Sequence, residues 1–216
     1  YIGSIIAASA QDTNFMNISV KNSYLKITRG TIPGLASLII DGLSAGAIAG
    51  VASNGTLMYN CESVDTVVEL NSTHVAGALA VSNYYAGGLV GVMKNSHIEY
   101  SRVISNGTEK SGGIQIEYQA IIGALEKNIA CAGGIAGQMK NDSSIIDSFS
   151  NAYVKARSNN VASLAQAAYC YVGGITGTVS GKNCHIKRSQ YSGIMEQSDF
   201  DGLLNLLGTG TQGNKH

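Results

Sequence analysis

The sequence predicts an all-β chain folded as a parallel β-solenoid, and two observations carry this prediction. A glycine-centred segment recurs through the chain, and its first glycines are 41, 46 and 40 residues apart. The apolar runs between these segments are short, are bounded by Gly, Asn and Ser, and in places alternate with period two, as strands do. A β-propeller with blades of about 40 to 45 residues is the alternative. The absence of Trp favours the solenoid, because blades usually pack a large aromatic side chain against the next blade.

The recurring segment has the form Gly-Gly-aliphatic-x-Gly and occurs four times, with a degenerate copy near Gly3. Its glycines are Gly46, Gly50, Gly87, Gly88, Gly91, Gly133, Gly134, Gly137, Gly173, Gly174 and Gly177. Glycine at a fixed point of every repeat indicates a tight corner or a close backbone approach, where a Cβ atom has no room. We expect one array, with repeats near residues 2–44, 45–85, 86–131, 132–171 and 172–216.

Equivalent positions of successive repeats predict rows of stacked side chains. Leu89, Ile135 and Ile175 are expected to point inward, and the residues that follow them (Val90, Ala136, Thr176) to point outward, since side chains alternate along a strand. A second inward row is expected at Leu57, Ile98, Ile145 and Ile186. The alanine-rich stretch 161–171 is the one place where a helical turn is credible.

The chain resembles the GLUG repeat, most closely in the glycine cores at 87–91, 133–137 and 173–177. Asn60-Cys61 and Ser148-Phe149-Ser150 fall where that family often has Asn-Cys-Tyr-Ser, and Ser192-Gly193 fits its later glycine. The repeats here are longer than is usual in that family, which leaves open whether each forms one enlarged coil or a coil with an extra turn. The resemblance implies tandem arrays in secreted or surface-attached proteins, often adhesins or surface-anchored peptidases, in which these repeats are not the catalytic part.

Composition excludes several classes of partner. Lys plus Arg and Asp plus Glu both number 14, and charged residues are 13% of the chain. A neutral, sparsely charged chain has no electrostatic footprint for nucleic acid or anionic lipid. No apolar run approaches the length of a transmembrane helix, and no signal peptide is visible. The cysteines show no zinc-ligand spacing, so we expect no metal and no cofactor.

Cysteines and asparagines offer two modest candidates for covalent modification. Cys131 and Cys170 precede successive glycine pairs, and a one-residue slip of register permits a disulfide between them; buried free thiols are the alternative. Asn-x-Ser/Thr sequons, slightly more frequent than composition predicts, permit N-glycosylation of a secreted chain. They lie at Asn17, Asn54, Asn71, Asn106 and Asn141.

Catalytic constellations were sought and not found, so we expect no enzyme. The candidate carboxylate pairs are Asp142 with Asp147, Glu62 with Asp65, and Asp199 with Asp201, and none aligns with a charged partner in the next repeat. The sequence therefore predicts a non-catalytic structural or adhesive β-solenoid segment of an extracellular or cell-surface protein. The alternative is a carbohydrate-binding or carbohydrate-active β-helix, in which exposed tyrosines stack on sugars.

Neither end of the array reads as capped. The chain opens inside a repeat, and the residues 203–207 carry aliphatic side chains as though another coil followed. Solenoids need polar caps to stay soluble. We therefore expect neighbouring solenoid segments or protomers as partners at the ends, with glycans or other surface proteins as further partners, and a chain that is part of a longer one.

Overall fold

A computed structural model of the chain describes residues 1–30, 39–74, 80–108, 110–120, 127–160 and 167–201. In these ranges every regular secondary-structure element is a β-strand, and the strands form five successive coils. Coil 1 contains β1 (Ile6–Gln11), β2 (Asn14–Met16), β3 (Ser19–Lys21) and β4 (Tyr24–Gly30). Coil 2 contains β5 (Ile39–Gly46), β6 (Ala49–Ser53), β7 (Leu57–Tyr59), β8 (Glu62–Val64) and β9 (Val67–His74).

The next three coils repeat the five-strand pattern of coil 2. Coil 3 contains β10 (Ala80–Gly87), β11 (Val90–Lys94), β12 (His97–Glu99), β13 (Arg102–Ile104) and β14 (Gly113–Ala120). Coil 4 contains β15 (Lys127–Gly133), β16 (Ala136–Lys140), β17 (Ser144–Ile146), β18 (Phe149–Ser150) and β19 (Tyr153–Asn160). Coil 5 contains β20 (Ala167–Gly173), β21 (Thr176–Ser180), β22 (His185–Lys187), β23 (Gln190–Tyr191) and β24 (Met195–Asp201).

Equivalent strands of successive coils pair in parallel and form five sheets. We number them in the order in which each coil visits them: sheet 1 is β5-β10-β15-β20, sheet 2 is β1-β6-β11-β16-β21, sheet 3 is β2-β7-β12-β17-β22, sheet 4 is β3-β8-β13-β18-β23, and sheet 5 is β4-β9-β14-β19-β24. Each repeat is thus one coil of five strands, and the predicted parallel β-solenoid is confirmed. Parallel neighbours give every coil hydrogen-bond partners above and below without a helix.

The glycine cores stack as the sequence predicts. Gly46, Gly87, Gly133 and Gly173 lie directly opposite one another in sheet 1. The long period of 46 residues arises at residues 105–112 of coil 3, which form a small loop between β13 and β14, closed by a Thr108–Ser111 bridge. The loop adds length at one corner and leaves the stacking of the five strands unchanged.

The interior is filled by rows of apolar side chains that run along the solenoid. One row contains Ala10, Ala52, Met93, Met139 and Val179; a second contains Phe15, Met58, Ile98, Ile145 and Ile186; a third contains Leu25, Val68, Ile114, Val154 and Met195. In coils 2 to 4 the members of these rows are all buried. Leu89 and Ile135 are buried inward as predicted.

Three sequence predictions of local structure are wrong. Met58 and not Leu57 stands in the second row. Coil 2 has one residue more than coil 3 at the Asn54–Thr56 turn, and a one-residue shift moves a side chain to the other face of the strand. Val90 and Ala136 are buried, because the chain turns at this corner and the strict alternation of a strand is interrupted. Finally, β20 occupies 167–173, where a helical turn was expected; residues 161–166 lie outside the described residues.

Candidate functional site

The corner between sheets 1 and 2 explains why each repeat needs glycine. A Cβ atom on Gly87, Gly133 or Gly173 would overlap the carbonyl oxygen three residues later in the same coil. One on Gly134 would overlap the carbonyl oxygen of Gly174 in the next coil. At the first glycine the corner is therefore a backbone-on-backbone contact without room for a side chain, whereas the second position holds Ala47 in coil 2.

The last glycine of each core brings the outer faces of sheets 1 and 2 together. A Cβ atom on Gly137 would lie 2.7 Å from the backbone nitrogen of Ala86 in the preceding coil. The side chain of Tyr85 points away from the coil interior and contacts sheet 2, where Lys140 Nζ lies 5.8 Å from its ring centroid. Burial raises the pKa of Tyr85, although a hydrogen bond from Gln138 opposes this shift. The space between the two sheets is thus packed in coils 2 to 4 and is not an open groove.

Single residues with positive φ turn the other corners. They are Asp12, Asn17, Asn22, Asn54, Asn60, Asp65, Asn95, Tyr100, Asn141, Asp142, Asp147, Asn183 and Arg188. Most are Asn or Asp, the non-glycine residues that best tolerate the left-handed region. Sequence reasoning missed this recurring signal.

Directly after these turns, small hydroxyl or thiol side chains link successive coils. The hydroxyl of Ser101 accepts a hydrogen bond from the backbone N–H of Cys61 at 3.0 Å, and the hydroxyl of Ser148 accepts one from the N–H of Ser101 at 3.2 Å. Ser189 continues the row by accepting from the N–H of Ser148 at 3.2 Å. Ser101 and Ser148 are buried and Ser189 is half-buried, and each accepts from a backbone donor that the corner leaves without a strand partner.

Charged side chains form pairs between coils. Glu62 in coil 2 accepts hydrogen bonds from Ser19 and Lys21 of coil 1 and from Arg102 of coil 3, at 2.7, 2.9 and 2.8 Å. These donors lower the pKa of Glu62 to about 2, with the Ser19 hydrogen bond as the largest cause. Arg188 of coil 5 donates two hydrogen bonds of 2.6 Å to Asp147 of coil 4 and lowers the pKa of that carboxyl.

The outer face of sheet 5 carries a further polar cluster. Lys26 Nζ lies 2.9 Å from a carboxylate oxygen of Glu69 in the next coil, and the hydroxyl of Tyr24 donates to the same side chain. Burial raises the pKa of Glu69, but the hydrogen bonds from Tyr24, Lys26 and Asn71 outweigh it, and the net direction is down. The cluster therefore holds an ionised carboxylate whose partners come from its own protein.

The candidate carboxylates whose side chains are described bind groups of adjacent coils. Asp142 accepts a hydrogen bond from Asn183 at 2.8 Å, and Asp65 accepts one from the backbone of Asn106 at 3.1 Å. Glu62 and Asp147 are paired with Arg102 and Arg188 of the next coil, so the expectation that no candidate aligns with a charged partner in the next repeat is wrong. Asp199 and Asp201 lie in β24, and their side chains are outside the described part of the chain. Each described member thus contacts an adjacent coil instead of facing a second carboxylate.

The sequons fall into three structural settings. Asn17, Asn54 and Asn141 are exposed turn residues with positive φ, and the Thr56 and Ser143 that complete the last two sequons are buried. Asn71 lies in β9 and donates to Glu69 at 2.5 Å. Asn106 is exposed in the inserted loop of coil 3. At Asn54 and Asn141, a left-handed Asn and a buried Thr or Ser two residues later have structural roles at the corner, and these roles account for both sequons.

The Cys131–Cys170 disulfide considered from the sequence is absent. None of the four cysteines forms a disulfide. Cys131 lies opposite Tyr171, and Cys170 lies opposite Ala130. The one-residue offset points the two sulfur atoms to opposite faces of sheet 1. Burial raises the pKa of Cys131 to about 12.

The tyrosines include a buried pair in the core and an exposed stacked pair on sheet 1. Tyr84 and Tyr118 are buried, with ring centroids 5.7 Å apart. Tyr169 and Tyr171 in β20 are stacked at 6.5 Å with an interplanar angle of 16°, and they are 46% and 44% exposed. This pair is an aromatic surface of the kind that stacks on sugar rings.

No family model, curated protein or solved structure matches the chain. The resemblance to the GLUG repeat therefore stays a prediction from the sequence. In the described ranges no helix has the length and hydrophobicity to cross a membrane. The same ranges contain no cluster of three or more His, Cys, Asp or Glu side chains arranged to hold a metal ion.

Proposed function

We propose that the chain is a non-catalytic structural or adhesive segment of an extracellular or cell-surface protein, built as a β-solenoid. The observation that supports this proposal is the set of partners that the acidic side chains bind. Glu62, Glu69, Asp142 and Asp147 all contact side chains of an adjacent coil. An enzyme of this architecture needs carboxylates directed at a substrate, whereas these carboxylates hold one coil to the next.

A spacer role follows from the same contacts. Four strand pairings tie coil 1 to coil 2, and five tie each later coil to the one before it. The serine row links coils 2 to 5, and ion pairs link coils 1 and 2, 2 and 3, and 4 and 5, so the array is stiff along its axis. Each coil advances the chain by about 4.8 Å, the spacing of parallel strands. Such a segment carries other parts of a surface protein at a fixed distance and orientation.

The test is an activity and binding screen with the intact chain. We expect no cleavage of acidic or neutral polysaccharides by the wild-type chain. The variant in which Asp142 and Asp147 are both replaced by Asn should give the same result. Polysaccharide cleavage that disappears in the D142N/D147N variant would overturn the structural role, because it would give these two carboxylates a catalytic function.

Glycan binding is the second candidate, and the exposed Tyr169–Tyr171 pair favours it. A glycan array probed with the chain tests it. Binding that is lost in Tyr169→Ala/Tyr171→Ala and kept in Tyr24→Ala, an exposed tyrosine at the other end, would make the segment a carbohydrate-binding module. Absence of binding to every glycan leaves the spacer role as the proposed function.

A further inference from the structure

One corner of coil 3 carries an inserted loop that the other coils lack. The inserted loop spans residues 105–112 between β13 and β14, of which 105–108 and 110–112 are described. The other four coils join the equivalent strands with two or three residues, so a coil closes without such a loop. Loops on a rigid scaffold frequently carry binding sites, and the inserted loop is therefore a candidate for one.

Contacts with the coils on either side hold the inserted loop in place. The backbone N–H of Ser105 donates to Oδ1 of Asn151 in coil 4 at 2.7 Å. The backbone N–H of Asn106 donates to Oδ1 of Asp65 in coil 2 at 3.1 Å. Within the loop, the hydroxyl of Ser105 donates to the carbonyl oxygen of Ser111 at 2.7 Å. The loop is therefore pre-organised, which lowers the ordering cost of binding a ligand.

A polar cleft of about 300 Å³ lies between the inserted loop and coils 1 and 2. Its lining includes Asn22 and Tyr24 of coil 1, Asp65 of coil 2, and Asn106 and Lys110 of the loop. The volume is at the lower end of the range for small-molecule sites, so the cleft fits a ligand of about one ring.

Tyr24 forms an aromatic wall of the cleft. Tyr24 is 61% exposed, and its hydroxyl donates a hydrogen bond to Glu69 on sheet 5. Because this hydrogen bond holds the ring, little side-chain entropy is lost when a ligand packs on it. An exposed tyrosine ring that is held in this way is a surface on which the apolar face of a pyranose stacks.

The other side chains of the cleft supply both hydrogen-bond donors and acceptors. Asp65 keeps acceptor capacity beyond its contact with Asn106, because a carboxylate accepts at both oxygens. Asn22, Asn106 and Lys110 are exposed. The two amides both donate and accept, and the ammonium group adds donors. Sugar hydroxyls also donate and accept, so this lining, with one charge of each sign, matches an uncharged sugar.

The same lining disfavours other classes of ligand. Asp65 is the one carboxylate among the described lining residues, and Lys110 would repel a metal cation. A phosphate group prefers arginine or several cations, and the Asp65 carboxylate would repel it. A lipid or an apolar peptide needs a largely apolar lining, whereas the exposed apolar surface of the described lining is the Tyr24 ring.

A second cleft, of about 120 Å³, lies on the outer face of sheet 5. Its lining includes Glu69, Asn71 and Gln115. Tyr24 of the first cleft and Glu69 of the second are joined by a hydrogen bond, so the two clefts are neighbours. A ligand of several linked sugars can occupy both, which favours an oligosaccharide over a free monosaccharide.

We propose that the cleft beneath the inserted loop binds one pyranose ring of an uncharged oligosaccharide, stacked on Tyr24 and hydrogen-bonded by Asp65 and Lys110. The proposal rests on the adhesive role proposed above and names a target and a site for it. The site is separate from the Tyr169–Tyr171 pair, which lies on sheet 1 in coil 5.

The test is an array of uncharged oligosaccharides, with an oligogalacturonate as the acidic comparison, probed with the intact chain. Calorimetric titration of the strongest-binding oligosaccharide then gives the Kd. We expect Tyr24→Ala to raise the Kd about tenfold or more, because the stacking surface is lost. Tyr24→Phe keeps the ring and should raise the Kd less. Lys110→Ala should raise the Kd about three- to tenfold, through the loss of its hydrogen bonds.

Lys187→Ala is the matched control, because Lys187 is an exposed lysine on sheet 3 of coil 5. It should bind as the wild-type chain does. Both lysine variants should keep the wild-type Tm within about 2 °C, since both side chains are exposed. Lys110→Ala and Lys187→Ala with equal Kd values would contradict the role of Lys110.

Shortening the loop tests the cleft as a whole. Residues 105–112 are replaced by Asp-Thr, the pair that joins β8 to β9 in coil 2. This variant keeps Tyr24 and should lose binding while it unfolds in one cooperative transition. Unchanged binding in the shortened chain would overturn the proposal, as would unchanged binding in Tyr24→Ala.

The remaining outcomes separate this proposal from the proposed function. Binding that Tyr169→Ala/Tyr171→Ala abolishes and Tyr24→Ala keeps would assign the sugar to sheet 1 and overturn the cleft. Binding of the oligogalacturonate alone would contradict the class of ligand. Binding of no oligosaccharide would overturn the cleft and leave the spacer role standing, whereas the spacer role fails by polysaccharide cleavage that depends on Asp142 and Asp147.

Discussion

Coils 4 and 5 have the same strands and corners, yet their equivalent side chains lie in opposite environments. Ile145 and Ile186 are identical residues in one row of sheet 3, and they are 0% and 42% exposed. Ser148 and Ser189 hold the same corner position, and the first is buried while the second is half-buried. Coil 4 has a coil on its C-terminal side, whereas coil 5 has none within the described residues.

The comparison shows that burial in this fold is a property of stacking more than of sequence. A coil is too thin to have an interior of its own, and its inward side chains are covered by the coils above and below. Substitutions at equivalent positions should therefore have graded effects that depend on how many neighbours a coil has.

The largest difference is expected for the paired isoleucines. Ile145→Ala should lower the free energy of unfolding by about 2–5 kcal/mol, because it leaves a cavity between two coils. Ile186→Ala should cost less than about 1 kcal/mol, because the side chain is already in contact with water. Urea denaturation of both variants measures this. Equal losses would mean that coil 5 is covered like coil 4.

Glycine at the corner gives the next largest effect. Gly134→Ala should cost about 1–3 kcal/mol or more, because its Cβ would overlap the Gly174 carbonyl and Ser150. Gly174→Ala in coil 5 should cost less, since its Cβ would meet the side chain of Tyr191 and not a backbone atom.

Gly30→Ala is the matched control, because nothing lies within 4 Å of its Cβ position. It should be neutral or stabilising by up to about 1 kcal/mol, through the reduced entropy of the unfolded chain. Thermal denaturation of the three variants gives the ranking, and a Gly134→Ala variant as stable as Gly30→Ala would refute the close backbone contact.

A smaller contrast is expected in the serine row. Ser101→Ala leaves the buried N–H of Cys61 without its acceptor and should cost about 1–3 kcal/mol. Ser189→Ala should cost less, because water reaches the corner of coil 5. Ser101→Cys is the control, since Cys61 already holds the same position in coil 2. If Ser101→Ala and Ser189→Ala unfold at the same urea concentration, the serine row does not depend on its neighbours.

The smallest effect is a dependence of stability on pH. The folded-state pKa of Glu62 is lowered to about 2, so its contribution is present above the ordinary glutamate pKa and is lost as pH falls towards 2. The Tm of the wild-type chain should fall more between pH 5 and pH 2 than that of Glu62→Gln. Parallel curves for the two proteins would show that the contacts of Glu62 are too solvated to matter.

The sequence predicts the repeat and its stacking because glycine has a distinctive role at the corner. Gly46, Gly87, Gly133 and Gly173 are predicted to be equivalent, and they align in sheet 1. Side-chain alternation predicts the inward direction of Leu89 and Ile135 as well. The assignment of Leu57 to the second inward row is wrong because Leu57 and Met58 are adjacent apolar residues. The periodicity alone does not reveal the additional residue in the turn before them.

The corner chemistry could have been found and was not. Asn or Asp followed directly by Ser, Thr or Cys recurs at three corners, as at Asn95, Asn60 and Asn22, and the sequons coincide with only some of these turns. Tyr100 and Arg188 occupy left-handed positions that residue preference does not predict.

The most direct test of one coil per repeat is a distance along the solenoid. Thr28 and Ser198 lie on the exposed face of sheet 5 in one row, four coil steps apart. Spin labels at these positions, in a Cys184→Ser background, report their separation by pulsed electron paramagnetic resonance. One coil per repeat predicts about 19 Å between the two backbones. A separation of about 38 Å, as two coils per repeat would give, would contradict the account.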